Sequence, residues 1–212
     1  MPLPVATARR FRFLLLASGL VGTLSVAQPL PAAQSGATIE QWGFDPAVLV
    51  ADGAELLARA PDPAIDRLFQ AVHASSEDPA DAAALCGLFD PAADRSLAGL
   101  NAVASRLGPH SQQRFASAVA EVFVGAMQSP PTRDPAIARQ ALKAAAVRAA
   151  LVNEGFTAGM SGSDTAARCD SMAMLLDVLH DRPLAERAGV TRLLLSEGLQ
   201  QVVSAAVAEP AR

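Results

Sequence analysis

The sequence predicts an all-α fold, a compact array of about seven or eight helices arranged as an orthogonal bundle or a solenoid-like stack and joined by a disulfide. Apolar residues recur at helical spacing along the chain, as in Ile65, Leu68, Phe69 and Val72, which share one helix face. In contrast, no segment shows the alternating β-branched residues between turn residues that are typical of strands. These two observations together favour helix throughout the domain.

Five Asp-Pro-Ala triplets divide the chain and are predicted to begin helices. An Asp side chain can accept hydrogen bonds from the free N–H groups of a first turn, and proline fits the first helical position. The uneven spacing of the triplets favours shared capping chemistry over an internal repeat. The triplets begin at Asp45, Asp62, Asp78, Asp90 and Asp134.

The apolar stripes that follow predict the later helices in order, and we expect these stripes to pack in the core. Helix-ending residues separate them, including Gly108 before Pro109, the Ser129 to Pro131 turn and Gly155. The stripes are Leu85, Cys86 and Phe89; Leu97, Leu100, Val103, Ala104 and Leu107; Phe115, Val119, Val122, Phe123 and Ala126; Ile137, Ala141, Leu142, Ala145, Leu151 and Val152; Cys169, Met172, Ala173, Leu176 and Leu179; and Leu194, Leu195, Leu199, Val202, Val203 and Ala206.

Residues 1–27 are predicted to be a secretory signal peptide. Arg9, Arg10 and Arg12 form a basic start without acidic residues, and an apolar stretch follows from Phe13 to Val26. This stretch is shorter than the roughly 20 apolar residues that an uncleaved membrane anchor needs. The general secretory route is favoured, with the twin-arginine route as the alternative. We therefore expect a periplasmic or secreted bacterial protein.

The remainder of the chain is predicted to form a tether and one domain. Signal cleavage is expected after Ala27, where small residues stand, with Ala33 as the alternative. Residues 28–43 mix Pro, Gly, Ser and Gln without a period and are interpreted as a flexible tether. Residues 44–212 are expected to form a single helical domain, because their number suffices for one core.

The charge balance narrows the classes of partner. The formal net charge is −4, and loss of the signal peptide removes three arginines, so the mature chain is more acidic still. An acidic surface argues against nucleic acid, which is bound mainly by Lys and Arg. It also disfavours anionic lipid, and we expect no stable membrane insertion after cleavage.

Only two cysteines are present, Cys86 and Cys169, and both lie in the exported part. In an oxidising compartment an even pair predicts a disulfide. The alternative is two buried free thiols that pack as small apolar side chains.

No motif in the chain specifies catalysis, a cofactor or a metal. His73, Asp177 and His180 are candidate zinc ligands by residue type, but a helix-end histidine among solvated acids explains them more simply. Ser161 lies in a segment like a nucleophile elbow that lacks the second glycine and a preceding strand. We therefore expect no catalytic residue, no cofactor and no bound metal.

The segment from Gly155 to Ser163 is predicted to be a flexible, glycine-rich connection between two helices. Because binding residues concentrate in loops on rigid scaffolds, its apolar residues Phe156 and Met160 are candidates for binding a partner. The alternative is structural: Phe156 completes a contact at the helix end, and Met160 fills a gap in the core.

The function expected from these observations is a non-catalytic, protein-binding module, such as an adaptor, inhibitor or accessory protein of the envelope. Its partner would be another envelope or secreted protein. The first alternative is a periplasmic carrier of a lipid or small apolar ligand, which an apolar cavity above about 300 Å³ would favour. The second is an unrecognised hydrolase, which requires a cleft that joins His73 or His180 to Ser or Asp.

Overall fold

The computed structural model of the chain describes residues 46–90, 92–128 and 135–208, and the predicted all-α class is confirmed. These ranges contain nine α-helices, a short 3₁₀-helix at Gly87–Phe89 and no strand. The predicted signal peptide at 1–27 and the tether at 28–43 lie outside the described residues. The α-helices are α1 (Pro46–Arg59), α2 (Asp62–Ser76), α3 (Pro79–Cys86), α4 (Leu97–Ala104), α5 (Pro109–Gln128), α6 (Pro135–Val152), α7 (Phe156–Ser161), α8 (Thr165–His180) and α9 (Leu184–Ala208).

Helices α2 and α9 organise the packing. The last helix, α9, contacts α1, α2 and α6, while α2 also packs against α5, α3 and α8. In a solenoid each unit touches only its neighbours in sequence, so the contacts between α9 and the first two helices identify a bundle. Of the two arrangements that the sequence allows, the described helices adopt the bundle.

The described residues form three apolar core clusters. The largest joins α2, α6, α7, α8 and α9, a second joins α1, α2, α5 and α9, and a small one holds α3 against the residues after α4. Alanine contributes at many of these contacts, which allows helix axes to approach closely. Representative buried residues are Phe69, Ala149, Leu175 and Val190 in the first cluster, Leu57, Ile65 and Val122 in the second, and Leu85 and Leu107 in the third.

The Asp-Pro-Ala prediction holds at Asp78, whose side chain accepts hydrogen bonds from the N–H groups of Ala80 and Asp81. A second aspartate cap, Asp164 at the start of α8, has no following proline and was not predicted. The triplets at Asp45 and Asp134 also mark helix starts, since α1 begins at Pro46 and α6 at Pro135. The two aspartates themselves lie outside the described residues.

Two other triplets behave differently from the prediction. Helix α2 already begins at Asp62, with Pro61 as its N-cap, and the Asp62 carboxylate binds Arg192 of α9 instead. Asp90 accepts a hydrogen bond from the Ala92 N–H in a turn, and the next helix begins only after Ser96. The local pattern identified groups able to cap a helix, but contacts from distant residues and turn formation compete for the same carboxylates.

The predicted flexible connection from Gly155 to Ser163 is mostly helical. Gly155 has φ 84°, the left-handed conformation that favours glycine, and α7 follows it directly. Gly159 lies on α7 against α8, where a β-carbon would collide with the Ser171 hydroxyl and the Ala167 carbonyl. The glycines therefore permit a left-handed turn and a close helix contact, and flexibility is not their structural role.

Arg187 of α9 joins the end of α8 to α2. Arg187 forms a bidentate pair with Asp66 of α2, at 2.7 and 3.0 Å. It also donates to the carbonyls of His180, the last residue of α8, and of Arg182 just after it. The hydrogen bond to Asp66 raises the pKa of Arg187, although burial acts in the opposite direction. Helix ends leave carbonyl groups without partners, so this guanidinium stabilises the end of α8.

The predicted disulfide between Cys86 and Cys169 is confirmed, and it joins the end of α3 to α8. Such a bond indicates a non-reducing compartment. Among the described residues, no helix combines the length and the apolar character that crossing a membrane requires.

Candidate functional site

The sixth helix has two apolar faces, and the bundle buries the one with the smaller side chains. Ala138, Ala145 and Ala149 are buried against α8 and α9. A β-carbon on Gly189 of α9 would lie 3.7 Å from that of Ala138, which is an ordinary van der Waals contact. The alanine face thus lets α6 and α9 pack at short range.

Most of the larger apolar side chains of α6 face solvent. Leu142 packs against the core as expected, but the exposure of Ile137, Leu151 and Val152 contradicts the expectation that they pack there. Ile137, Val147 and Leu151 are 67%, 60% and 81% exposed, and Val152 is exposed beside them. Ile137, Gln140, Ala144, Val147 and Leu151 follow one another at spacings of three and four, so they share one face. We call these five exposed residues the α6 ridge.

The charged side chains of α6 are all basic. The helix carries Arg139, Lys143 and Arg148 and no Asp or Glu, although the whole chain is acidic. All three side chains are exposed, and none makes an ion pair with another residue in the part of the chain that the structure describes. The α6 ridge is therefore an apolar surface with basic flanks.

A groove lies beside the ridge, between the start of α6, α9 and the end of α1. Its volume is about 950 Å³, and Ile137 belongs to both the groove and the ridge. Ala138, Ala141 and Leu193 supply apolar lining, while Arg139 and Glu197 contribute charged groups. A second cavity of about 660 Å³ lies between α2 and α5 and is lined mainly by polar residues, including His110 and Arg114.

The structure brings the three candidate zinc ligands together. The two histidine rings stack on each other, and the aspartate shares a hydrogen bond with one of them. The rings of His73 and His180 stack with centroids 4.3 Å apart and an interplanar angle of 8°. The His73 Nε2 atom lies 3.0 Å from Oδ1 of Asp177. Nitrogen lone pairs lie in the ring planes, so two parallel rings do not converge on one ion. Among the described residues, no group of three or more His, Cys, Asp or Glu side chains is placed to hold a metal.

The same cluster does not provide the nucleophile that a serine hydrolase needs. The His73 ring reaches two carboxylates, Asp177 and, at 4.0 Å, Glu77. Ser161 instead donates its hydroxyl hydrogen bond to the Thr157 carbonyl on α7. Neither described cavity is lined by His73 or His180. The cluster is best interpreted as a contact between α2 and α8, with Phe69 stacked on the other side of His73.

The two partner-binding candidates occupy different environments. Phe156 is 5% exposed and belongs to the largest core cluster, which matches its structural alternative and leaves its side chain inaccessible to a partner. Met160 is 41% exposed on α7, so it remains a candidate for binding. The α6 ridge was missed because its residues have the same helical period as a core stripe.

Comparison of the chain with protein-family models, curated proteins and solved structures finds no significant match.

Proposed function

We propose that this protein is an exported, non-catalytic binding module of the bacterial periplasm or extracellular space that binds another protein through the α6 ridge. The observation that carries the proposal is the orientation of α6. Ile137, Val147 and Leu151 are exposed, whereas the alanines on the other side of the same helix are buried. Clustered exposed apolar side chains mark interaction surfaces in soluble proteins.

The energetics support a partner on this face. Burial of a Val, Leu or Ile side chain is favourable by about 1.5 to 3 kcal/mol of free energy relative to its exposure. The exposed side chains of α6 do not gain this free energy when the chain folds. A partner that covers Val147 and Leu151 would gain this free energy of burial at the centre of an interface, where a few residues carry most of the binding energy. The disulfide-linked bundle keeps α6 in place and limits the entropy that binding would cost.

A substitution on the ridge tests this proposal. We expect Leu151→Asp to abolish capture of the envelope partner by the tagged mature protein, since a carboxylate would be desolvated at the interface. Its melting temperature is expected to stay within a few degrees of the wild type, because Leu151 is 81% exposed. Affinity capture from the native cell envelope followed by mass spectrometry provides the measurement.

Leu194→Asp on α9 is the matched control, because Leu194 is also an exposed leucine but lies outside the ridge. This variant should retain the partner that Leu151→Asp loses. Equal capture by both variants would contradict the proposal that the ridge is the binding surface.

A carrier of a lipid or small apolar ligand is the second candidate, and the groove between α6 and α9 favours it. The groove volume of about 950 Å³ exceeds the roughly 300 Å³ at which apolar ligand sites begin. Organic extraction of the protein purified from its envelope distinguishes the two functions. A stoichiometric lipid that is retained in Leu151→Asp and lost on substitution of the groove residue Leu193 would support the carrier.

A further inference from the structure

The spacing of the α6 ridge is that of a coiled-coil seam. Ile137, Gln140, Ala144, Val147 and Leu151 occupy alternating a and d positions of two successive heptads and the start of a third. The polar Gln140 stands at a single core position, the kind of residue that fixes register in coiled coils at some cost in stability. The ridge is therefore shaped to receive another helix along its length.

The charged residues at the e and g positions beside the seam indicate the charge of the helix that the α6 ridge would receive. Lys143 occupies a g position and Arg148 an e position, and both are exposed. These are the positions whose charges set partner choice in coiled coils. Parallel pairing of two α6 helices would place Lys143 opposite Arg148, because parallel helices pair g with e. In either orientation a second α6 would offer these two residues no acidic partner, because α6 contains no Asp or Glu. Pairing of two copies of this chain through α6 is thus disfavoured.

We propose that the occupant of the α6 ridge is an amphipathic helix of another protein, with apolar residues on its seam and Glu or Asp on both flanks. This inference rests on the proposed function and specifies the chemistry of the partner. Apolar contacts with Val147 and Leu151 hold the helix, and acidic side chains pair with Lys143 and Arg148. Charge complementarity at the rim would contribute mainly specificity and association rate.

Two synthetic helical peptides test the inference. Both carry leucine at the seam positions, and they differ only in having glutamate or lysine at every flanking position. Fluorescence anisotropy should show binding of the glutamate peptide to the wild-type protein, with affinity for the lysine peptide weaker by about tenfold or more. The charge reversal K143E/R148E should invert this preference. Leu151→Asp, introduced into the wild type or into K143E/R148E, should weaken binding of the peptide that each of these proteins prefers.

The alternatives give different results. If K143E/R148E still prefers the glutamate peptide while Leu151→Asp loses it, the ridge binds a helix and the charge inference is wrong. Failure of the wild type to bind the glutamate peptide would also overturn the inference. Flotation of the wild-type protein with phosphatidylglycerol vesicles, without peptide binding, would identify an anionic lipid surface as the occupant instead. Retention of the envelope partner by Leu151→Asp is the separate result that refutes the proposed function.

Discussion

Replacement of both Cys86 and Cys169 by serine is expected to lower the free energy of unfolding by about 4 to 5 kcal/mol, because the bond closes a loop of 83 positions and restricts the unfolded chain. Domains of this kind have a total stability of about 5 to 15 kcal/mol, so the loss is a large part of it. Urea denaturation of the oxidised wild type and the double serine variant measures the difference.

The wild type treated with a reductant is the control, and it should unfold near the midpoint of the double serine variant. The apolar cluster around the bond is small, and its buried members are Ala84, Leu85 and Leu107. Loss of the cross-link should therefore expose α3 first in hydrogen exchange. A stability loss below about 1 kcal/mol would show that the contact of α3 with α8 persists without the bond.

Arg192→Leu is expected to destabilise the protein by about 3 kcal/mol or more. Arg192 is buried and donates to the carbonyls of Leu57 and Ala60 at the end of α1, each at 2.8 Å. It also binds the Asp62 carboxylate at the start of α2, at 3.2 Å. Leucine would leave buried carbonyl groups and a carboxylate without these hydrogen bonds. Thermal and urea denaturation provide the measurement.

Arg67→Leu is the matched control for this substitution. Arg67 pairs with Glu121 at 2.6 Å, but both side chains are exposed, so the loss is expected to stay below about 1 kcal/mol. The loss of stability in Arg192→Lys should lie between those of Arg192→Leu and Arg67→Leu, because one ammonium group cannot reproduce the planar guanidinium that donates to two carbonyls. Equal stability of Arg192→Leu and Arg67→Leu would contradict the role assigned to Arg192.

The helical class and the disulfide were predictable because their signals are local or compositional. Apolar spacing identified α2 and α5 directly, and two cysteines in a chain predicted to be exported left one pairing. Gly155 was predicted to end α6. It has the left-handed φ of 84° that favours glycine, but α6 already ends at Val152 and Gly155 is the N-cap of α7. The contacts of Asp62 with Arg192 and of Arg187 with Asp66 were not predictable, because the paired residues lie more than 100 positions apart in the sequence.

The candidate site could be predicted only in part. Residue types alone grouped His73, Asp177 and His180, and the fold does bring them together, but their stacked geometry was not encoded in the spacing. In α6, the alanine face and the face with Val147 and Leu151 share the same period. Periodicity therefore predicts the helix but cannot determine which face the bundle buries.

The most direct test of the central claim is photo-crosslinking from the α6 ridge in the native cell envelope. With benzoylphenylalanine in place of Val147, irradiation should produce a discrete adduct between this protein and a second protein. Benzoylphenylalanine at Ala102, an exposed position on α4, should not produce that adduct. The same adduct from Ala102, or no adduct from Val147 in protein that is exported and disulfide-bonded, would contradict the claim that the α6 ridge binds a partner.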